Sequence, residues 1–189
     1  EPLLDKNIYS LVQISRNNLP RAQIELVTNG DVLNVARMRR LLDSGLSTLI
    51  ISAYDGEFQI TKFQDMAREA NIDINKLLIR PRWLPEQEDF GITLNNRAGA
   101  MDDAAHSIAR VKEPIKMGCN YPFYAFFMDY NGDVLLCPHD WHKHLIIGNM
   151  RNERFVDVWT SQRIEEVRKR LHAQDRCFSP CDRCDVSGL

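Results

Sequence analysis

No cysteine occurs in the first 118 residues of this 189-residue chain. All five, Cys119, Cys137, Cys177, Cys181 and Cys184, fall in the last third. An odd number of thiols gathered at one end argues against a disulfide framework. It points to thiols as metal ligands in a reducing compartment, here expected to be the cytoplasm. No apolar run approaches the roughly 18 residues of a membrane span. No basic segment followed by an apolar one opens the chain, so no secretory signal is read. A net charge of −2 supplies no basic surface for nucleic acid or membrane. No low-complexity tract is present. With 44% hydrophobic and 26% charged residues, the composition is that of a globular protein.

The first 112 residues alternate strand and helix. Residues 6–19 suit a helix with Ile8, Leu11, Val12 and Ser15 on one face, stopped by Pro20. Residues 23–27 read as a strand, followed by the turn Thr28-Asn29-Gly30, with Asp31 as an N-cap. Val32, Val35, Met38, Leu41 and Leu42 recur at helical spacing up to Gly45. The apolar run 48–51 suits a parallel strand covered on both faces. A second helix carries Phe58, Phe63, Met66, Ala67 and Ala70, and residues 77–79 form a third strand. The strands recur at the length of one βα unit, so the sheet is predicted to be parallel with right-handed crossovers. Ligands bind such folds at the loops after the strands. Here those loops are 28–30, 52–56 and 80–82. Residues 84–100 read as a long loop with a short strand at 90–94, and 101–112 as a helix.

A boundary is expected at 112/113. Beyond it, residues 123–129 and 134–137 are predicted strands joined at Tyr130-Asn131-Gly132-Asp133, a hairpin signal that brings Cys119 back toward Cys137. Residues 145–149 suit another short strand or turn. Phe155, Val158, Trp159, Ile164, Val167 and Leu171 form the apolar stripe of one charged helix.

Cys181 and Cys184 can bind one centre from a tight loop, and a hairpin pair completes four thiolates. An all-thiolate zinc site and a [4Fe–4S] cluster both fit. Structural zinc sites use two short knuckles, whereas here one pair spans a hairpin, an arrangement that suits the larger cubane. Cys177 is the extra thiol, a possible further ligand. His139, Asp140, His142 and His144 read as a polar loop, with zinc ligation as the alternative.

These residues resemble a known family. Cys119-x12-Gly132-x4-Cys137, Ile147-Gly148-Asn149-Met150, Phe155-x3-Trp159 and Cys181-x2-Cys184 resemble the SPASM/twitch extension of radical S-adenosylmethionine (SAM) enzymes. The small cysteine number resembles the shorter twitch form, with one auxiliary [4Fe–4S] cluster. The resemblance implies Cys119, Cys137, Cys181 and Cys184 as its ligands. Glu1-Pro2-Leu3-Leu4 resembles the tail of the family's G-G-E-P-L-L segment, Thr28-Asn29-Gly30 its T-N-G, and Ser52-x2-Asp55-Gly56 its S-x-D-G. The resemblance implies SAM contacts from Glu1, Thr28, Asn29, Ser52, and Arg80 or Arg82. Asn96-Arg97-Ala98-Gly99 resembles the segment before the auxiliary domain.

The implied fold is α/β: a partial (βα) radical SAM barrel over 1–112 and a twitch/SPASM-like domain over 113–189. The family's C-x3-C-x2-C after its first strand has no counterpart. Cys177-x3-Cys181-x2-Cys184 has that spacing but follows a helix near the C-terminus. The chain, which begins without Met, therefore reads as the C-terminal portion of a longer enzyme and as non-catalytic alone; no catalytic residue is assigned. The implied full protein uses SAM, a second [4Fe–4S] cluster and a reductase, flavodoxin or ferredoxin donor. It forms a 5′-deoxyadenosyl radical that takes a hydrogen from a peptide, aminocyclitol or sugar. Trp83, Arg97, Trp141 and His142 are candidate pocket residues. The competing readings are a zinc-stabilised binding module and a degenerate, non-catalytic relative that binds a partner.

Overall fold

The computed structural model describes residues 1–83, 95–103, 108, 109 and 111–187. They fall into two compact units, Glu1–Ile92 and Thr93–Leu189. The division lies before the 112/113 boundary read from the sequence, because Asn96 is anchored in the second unit. Its backbone N–H donates to Asp185 Oδ2 at 2.8 Å, and its side-chain amide donates to the Arg183 carbonyl at 2.7 Å.

In the first unit a 3-10 turn, Pro2–Leu4, precedes helix α1 (Ile8–Asn18). Then follow β1 (Glu25–Thr28), α2 (Val35–Asp43), β2 (Thr48–Ala53), α3 (Phe58–Glu69) and β3 (Leu77–Pro81). The strands pair in parallel in the order β1-β2-β3. Register aligns Leu26 with Leu49 and Leu77, and Thr28 with Ile51 and Ile79. Because side chains alternate across a sheet, these rows share one face. Leu26, Leu49 and Ile51 pack there with Val12, Met38, Leu41, Phe63 and Ala67. The opposite face carries the row Val27, Ile50, Leu78. Ile50 is buried, whereas Val27 and Leu78 are 49% and 44% exposed. The α/β class and the parallel sheet expected from the sequence are present.

Local chemistry moved one helix start. Asp31 does not cap α2, because its carboxylate accepts from the Asn29 amide while its N–H donates back to Asn29 Oδ1. Asn34 is the cap instead, accepting from the Arg37 N–H at 2.9 Å. In the turn before it, Gly30 has φ +79°, and a Cβ there would lie 2.5 Å from Phe63 Cζ. The turn thus requires glycine for both conformation and space.

The second unit holds a short helix α4 (Tyr121–Tyr124), strands β4 (Phe127–Met128), β5 (Asp133–Leu135) and β6 (Ile146–Asn149), and helices α5 (Phe155–Trp159) and α6 (Gln162–His172). The strands are antiparallel in the order β4-β5-β6. The strand expected from residue 123 begins only at 127, because Pro122 suits the first turn of a helix and the Ala125 N–H closes onto the Tyr121 carbonyl. In the hairpin loop only Gly132 takes positive φ, +85°. Asp129 Oδ1 accepts from the N–H groups of Asn131 and Asp133 and holds the loop.

The apolar stripe expected on one helix is divided between two. Ser161 interrupts it in extended conformation and caps α6 by accepting from the Ile164 N–H. Val134, Leu136, Ile147, Val158, Ile164, Val167 and Leu171 bury one core. The helix expected over 101–112 is not formed at its described residues, since Asp103 and Ile108 exchange backbone hydrogen bonds as an antiparallel bridge. The short strand expected at 90–94 lies outside the described residues.

Phe63 is fully buried at the centre of the first core. Phe63→Ala is expected to lower stability by about 3–5 kcal/mol, from lost transfer energy and a residual cavity. Urea unfolding measures it, and a loss below about 1 kcal/mol contradicts the packing described.

Candidate iron–sulfur centre and the loops of the parallel sheet

Four separate pieces of the second unit deliver thiols to one place. Cys119 lies just before α4, Cys137 just after β5, and Cys181 and Cys184 begin and cap a 3-10 turn, Cys181–Arg183. The hairpin's antiparallel register returns the chain so that Cys137 approaches Cys119. All four line one small apolar cavity with Tyr121, Leu136, His139, Leu171 and Arg176. Cys137, Cys181 and Cys184 are buried and Cys119 is partly buried. None is in a disulfide.

Burial pushes the Cys137 thiol up to about 12, with repulsion from Cys184 and Cys119 adding to it and backbone N–H groups of His139 and Asp140 opposing it. Burial likewise raises Cys181 and Cys184; the positive charge of Arg176 opposes both shifts. Buried thiols resist ionisation unless something positive compensates them, and a bound metal centre does so. Among the described residues, no three His, Cys, Asp or Glu side chains stand close enough to share one metal ion. The four thiols share the wall of one cavity.

Cys177 is exposed and is not part of the cavity wall. Its N–H donates to Asp175 Oδ1 at 2.8 Å.

The histidine loop divides by role. Asp140 is 1% exposed, and its two carboxylate oxygens accept from the N–H groups of His144 and Leu145 at 3.0 and 2.9 Å. His142 and His144 are exposed and lie ring to ring. His139 is different: it is buried in the cavity wall, edge-on to Tyr121. Burial, then the Arg97 guanidinium, push it below its ordinary value of 6.5, with Asp185 opposing them. Arg97 Nη1 lies 3.5 Å from His139 Nδ1, and its guanidinium stands over the Trp141 ring at 4.9 Å. Among the described residues, His139 Nε2 and Arg97 Nε are buried with no hydrogen-bond partner. Such orphans are rare in folded proteins. Sequence reasoning grouped His139 with its exposed neighbours and passed over Arg176. Only the meeting of distant segments at the cavity distinguishes them.

In the first unit, the strand C-terminal ends gather the other candidates. Glu1 Oε1 accepts from the Leu3 N–H at 2.9 Å and the Thr28 hydroxyl at 2.7 Å, and Oε2 accepts from the Asn29 N–H at 3.1 Å. Ser52 is buried and in register with Arg80, which is exposed. Arg82 is half-buried and donates its backbone N–H to the Ala53 carbonyl at 2.7 Å. Trp83 is half-buried. Glu1, Thr28 and Asn29 are thus in direct contact, and Ser52 and Arg80 are cross-strand neighbours.

Residues 119–185 match the SPASM iron–sulfur cluster-binding domain. Over 187 residues the chain is 27% identical to S-adenosyl-L-methionine-dependent 2-deoxy-scyllo-inosamine dehydrogenase of Niallia circulans, covering 98% of this chain and 69% of that protein. Its fold is similar to that of BtrN in complex with AdoMet and 2-DOIA, with a TM-score of 0.74 and 25% identity over 98% of this chain and 69% of that one. BtrN in an open conformation aligns with a TM-score of 0.68 at 22% identity, covering 98% and 67%. The resemblance to radical SAM enzymes with a C-terminal SPASM-type domain is borne out, as is an iron–sulfur cofactor for such a domain. No described helix is long and apolar enough to cross a membrane.

Two outcomes follow from these contacts. Asp140→Ala leaves two loop N–H groups without their acceptor and is expected to cost about 1–3 kcal/mol in urea unfolding. Burial raises the Glu1 carboxyl, but bonds from Thr28, Leu3 and Asn29 outweigh it and hold it below its ordinary 4.5. A depressed carboxyl stabilises the fold above that unfolded value and loses the contribution as pH falls through the folded one. Glu1→Gln is therefore expected to flatten the stability profile below about pH 5. Parallel profiles for both proteins contradict the assignment.

Proposed function

We propose that this chain supplies the SAM-facing loops and the auxiliary-cluster domain of a radical SAM dehydrogenase acting on an aminocyclitol or a related polyhydroxylated substrate. The observation that carries the reading is the convergence of Cys119, Cys137, Cys181 and Cys184 on one buried cavity within the SPASM-matching segment. Four thiols in one cavity wall, one pair supplied across a hairpin, within a segment matching an iron–sulfur cluster-binding domain favour one [4Fe–4S] cluster over a zinc ion. One cluster with four cysteine ligands corresponds to the twitch form. The substrate class rests on the name of the Niallia circulans relative; peptides and sugars are the alternatives.

When bound, SAM with its reducing cluster supplies hydrogen abstraction, and the auxiliary cluster supplies an acceptor for the electron that the substrate then gives up. The chain's own residues hold and orient. In this reading Glu1, oriented by Thr28 and Asn29, accepts from the SAM amino group. Ser52 and either Arg80 or Arg82 meet its polar and carboxylate ends. The apolar walls Leu136 and Leu171 keep water from the cluster. Arg97, with Trp141 beneath it, offers a donor to substrate oxygen. Trp83 and His142 are further candidate pocket residues. In this reading neither the reducing cluster nor the docking of a reductase, flavodoxin or ferredoxin is assigned to residues of this chain.

Anaerobically reconstituted protein is expected to hold about four irons and four sulfides per chain. Cys137→Ser and Cys181→Ser should each lose most of that iron, while Cys177→Ser keeps it. Stoichiometric zinc without iron overturns the reading.

A further inference from the structure

We propose that Arg176 is the fixed counter-charge of the cluster site and holds the cluster's reduction potential up. The proposal rests on the iron–sulfur reading of the cavity. Arg176 is 1% exposed and heads the fully buried side chains by volume. It lies in the cavity wall with the four thiols. Its guanidinium donates to backbone carbonyls on both sides of the site. Nε reaches Met117 at 2.8 Å, and Nη2 reaches Gly118 at 2.7 Å, on the segment entering Cys119. Nη1 reaches Val186 at 2.7 Å and Nη2 reaches Ser187 at 3.5 Å, on the segment leaving Cys184.

Carbonyls satisfy the N–H donors but carry no net charge. Among the described residues no carboxylate forms an ion pair with Arg176. A buried charge without an opposite charge is strongly unfavourable. The opposite charge is what four thiolates around a cubane provide, because that assembly is anionic. Reduction adds one more negative charge. A fixed cation in a low-dielectric wall stabilises the more negative state by more, so it raises the potential. A neutral side chain able to bridge the same carbonyls would clasp the segments without this effect. The choice of arginine, always charged and with five donors, serves both roles.

The test is an EPR-monitored redox titration of the reconstituted protein and of Arg176→Met and Arg176→Lys. Iron and sulfide analysis of the unaltered protein first establishes the cluster, so its absence counts against the functional reading rather than this one. Arg176→Met is expected to lower the midpoint potential by at least a tenfold change in the reduction equilibrium, ~59 mV for one electron. Arg176→Lys should stay near the unaltered value. Loss of the cluster from Arg176→Met, with cluster and potential kept in Arg176→Lys, also supports the counter-charge. An unchanged potential in Arg176→Met overturns it. So does an equal shift in both variants, or loss of the cluster from both, since the geometry of the clasp would then be the whole contribution.

Discussion

Four thiols placed around a single buried cavity are the constraint on which the second unit depends. They cannot be brought there by one loop. Cys119 enters ahead of a helical turn, Cys137 leaves a hairpin strand, and the last two sit on a 3-10 turn after α6. Everything between these points has to return the chain to the same place. The hairpin does so through Asp129 and Gly132, and α6 does so by burying Ile164, Val167 and Leu171 against the strands. Left alone, buried thiols favour their neutral form. In the proposed reading a thiolate-ligated centre reverses that preference and couples loading of this unit to its folding through charge.

The first unit obeys a different constraint. A parallel sheet has to bury apolar rows, and α1, α2 and α3 meet that demand on one face. The polar ends of β1, β2 and β3 are left carrying Thr28, Ser52 and Arg80. Glu1 is tied into this edge by three hydrogen bonds. Loops at the carboxyl ends of parallel strands carry function because the strand ends hold them in fixed order. That is the physical ground for reading this edge as a small-molecule site.

Much of this was legible locally. Leu49-Ile50-Ile51 announced a buried strand and Thr28-Asn29-Gly30 a turn, because both depend on neighbouring residues alone. The spacing Cys119-x12-Gly132-x4-Cys137 survives in the fold because a hairpin converts sequence distance into proximity by a simple rule. The misreadings share a cause. An acidic residue ahead of an apolar helical stripe predicts Asp31 as a cap, but Asn29 occupies its carboxylate. Ser161 interrupts what periodicity joined into one helix. Pro122 turns the start of a predicted strand into a helical turn. In each case a single competing hydrogen bond or backbone restriction outweighed a pattern averaged over many residues.

The chain's order of residues by itself determined the α/β alternation, the hairpin and which thiols could act together, since these follow from periodicity and short-range turn chemistry. Tertiary structure alone decided which polar residues stand beside the thiols. His139 and Asp140 are adjacent in sequence, yet one lines the cavity and the other holds a loop. Arg176 and Cys177 are adjacent too, yet one is buried with the thiols and the other exposed. Burial of a charge is set by segments far apart in the chain, here those around Met117 and Val186, and no local pattern encodes where they meet.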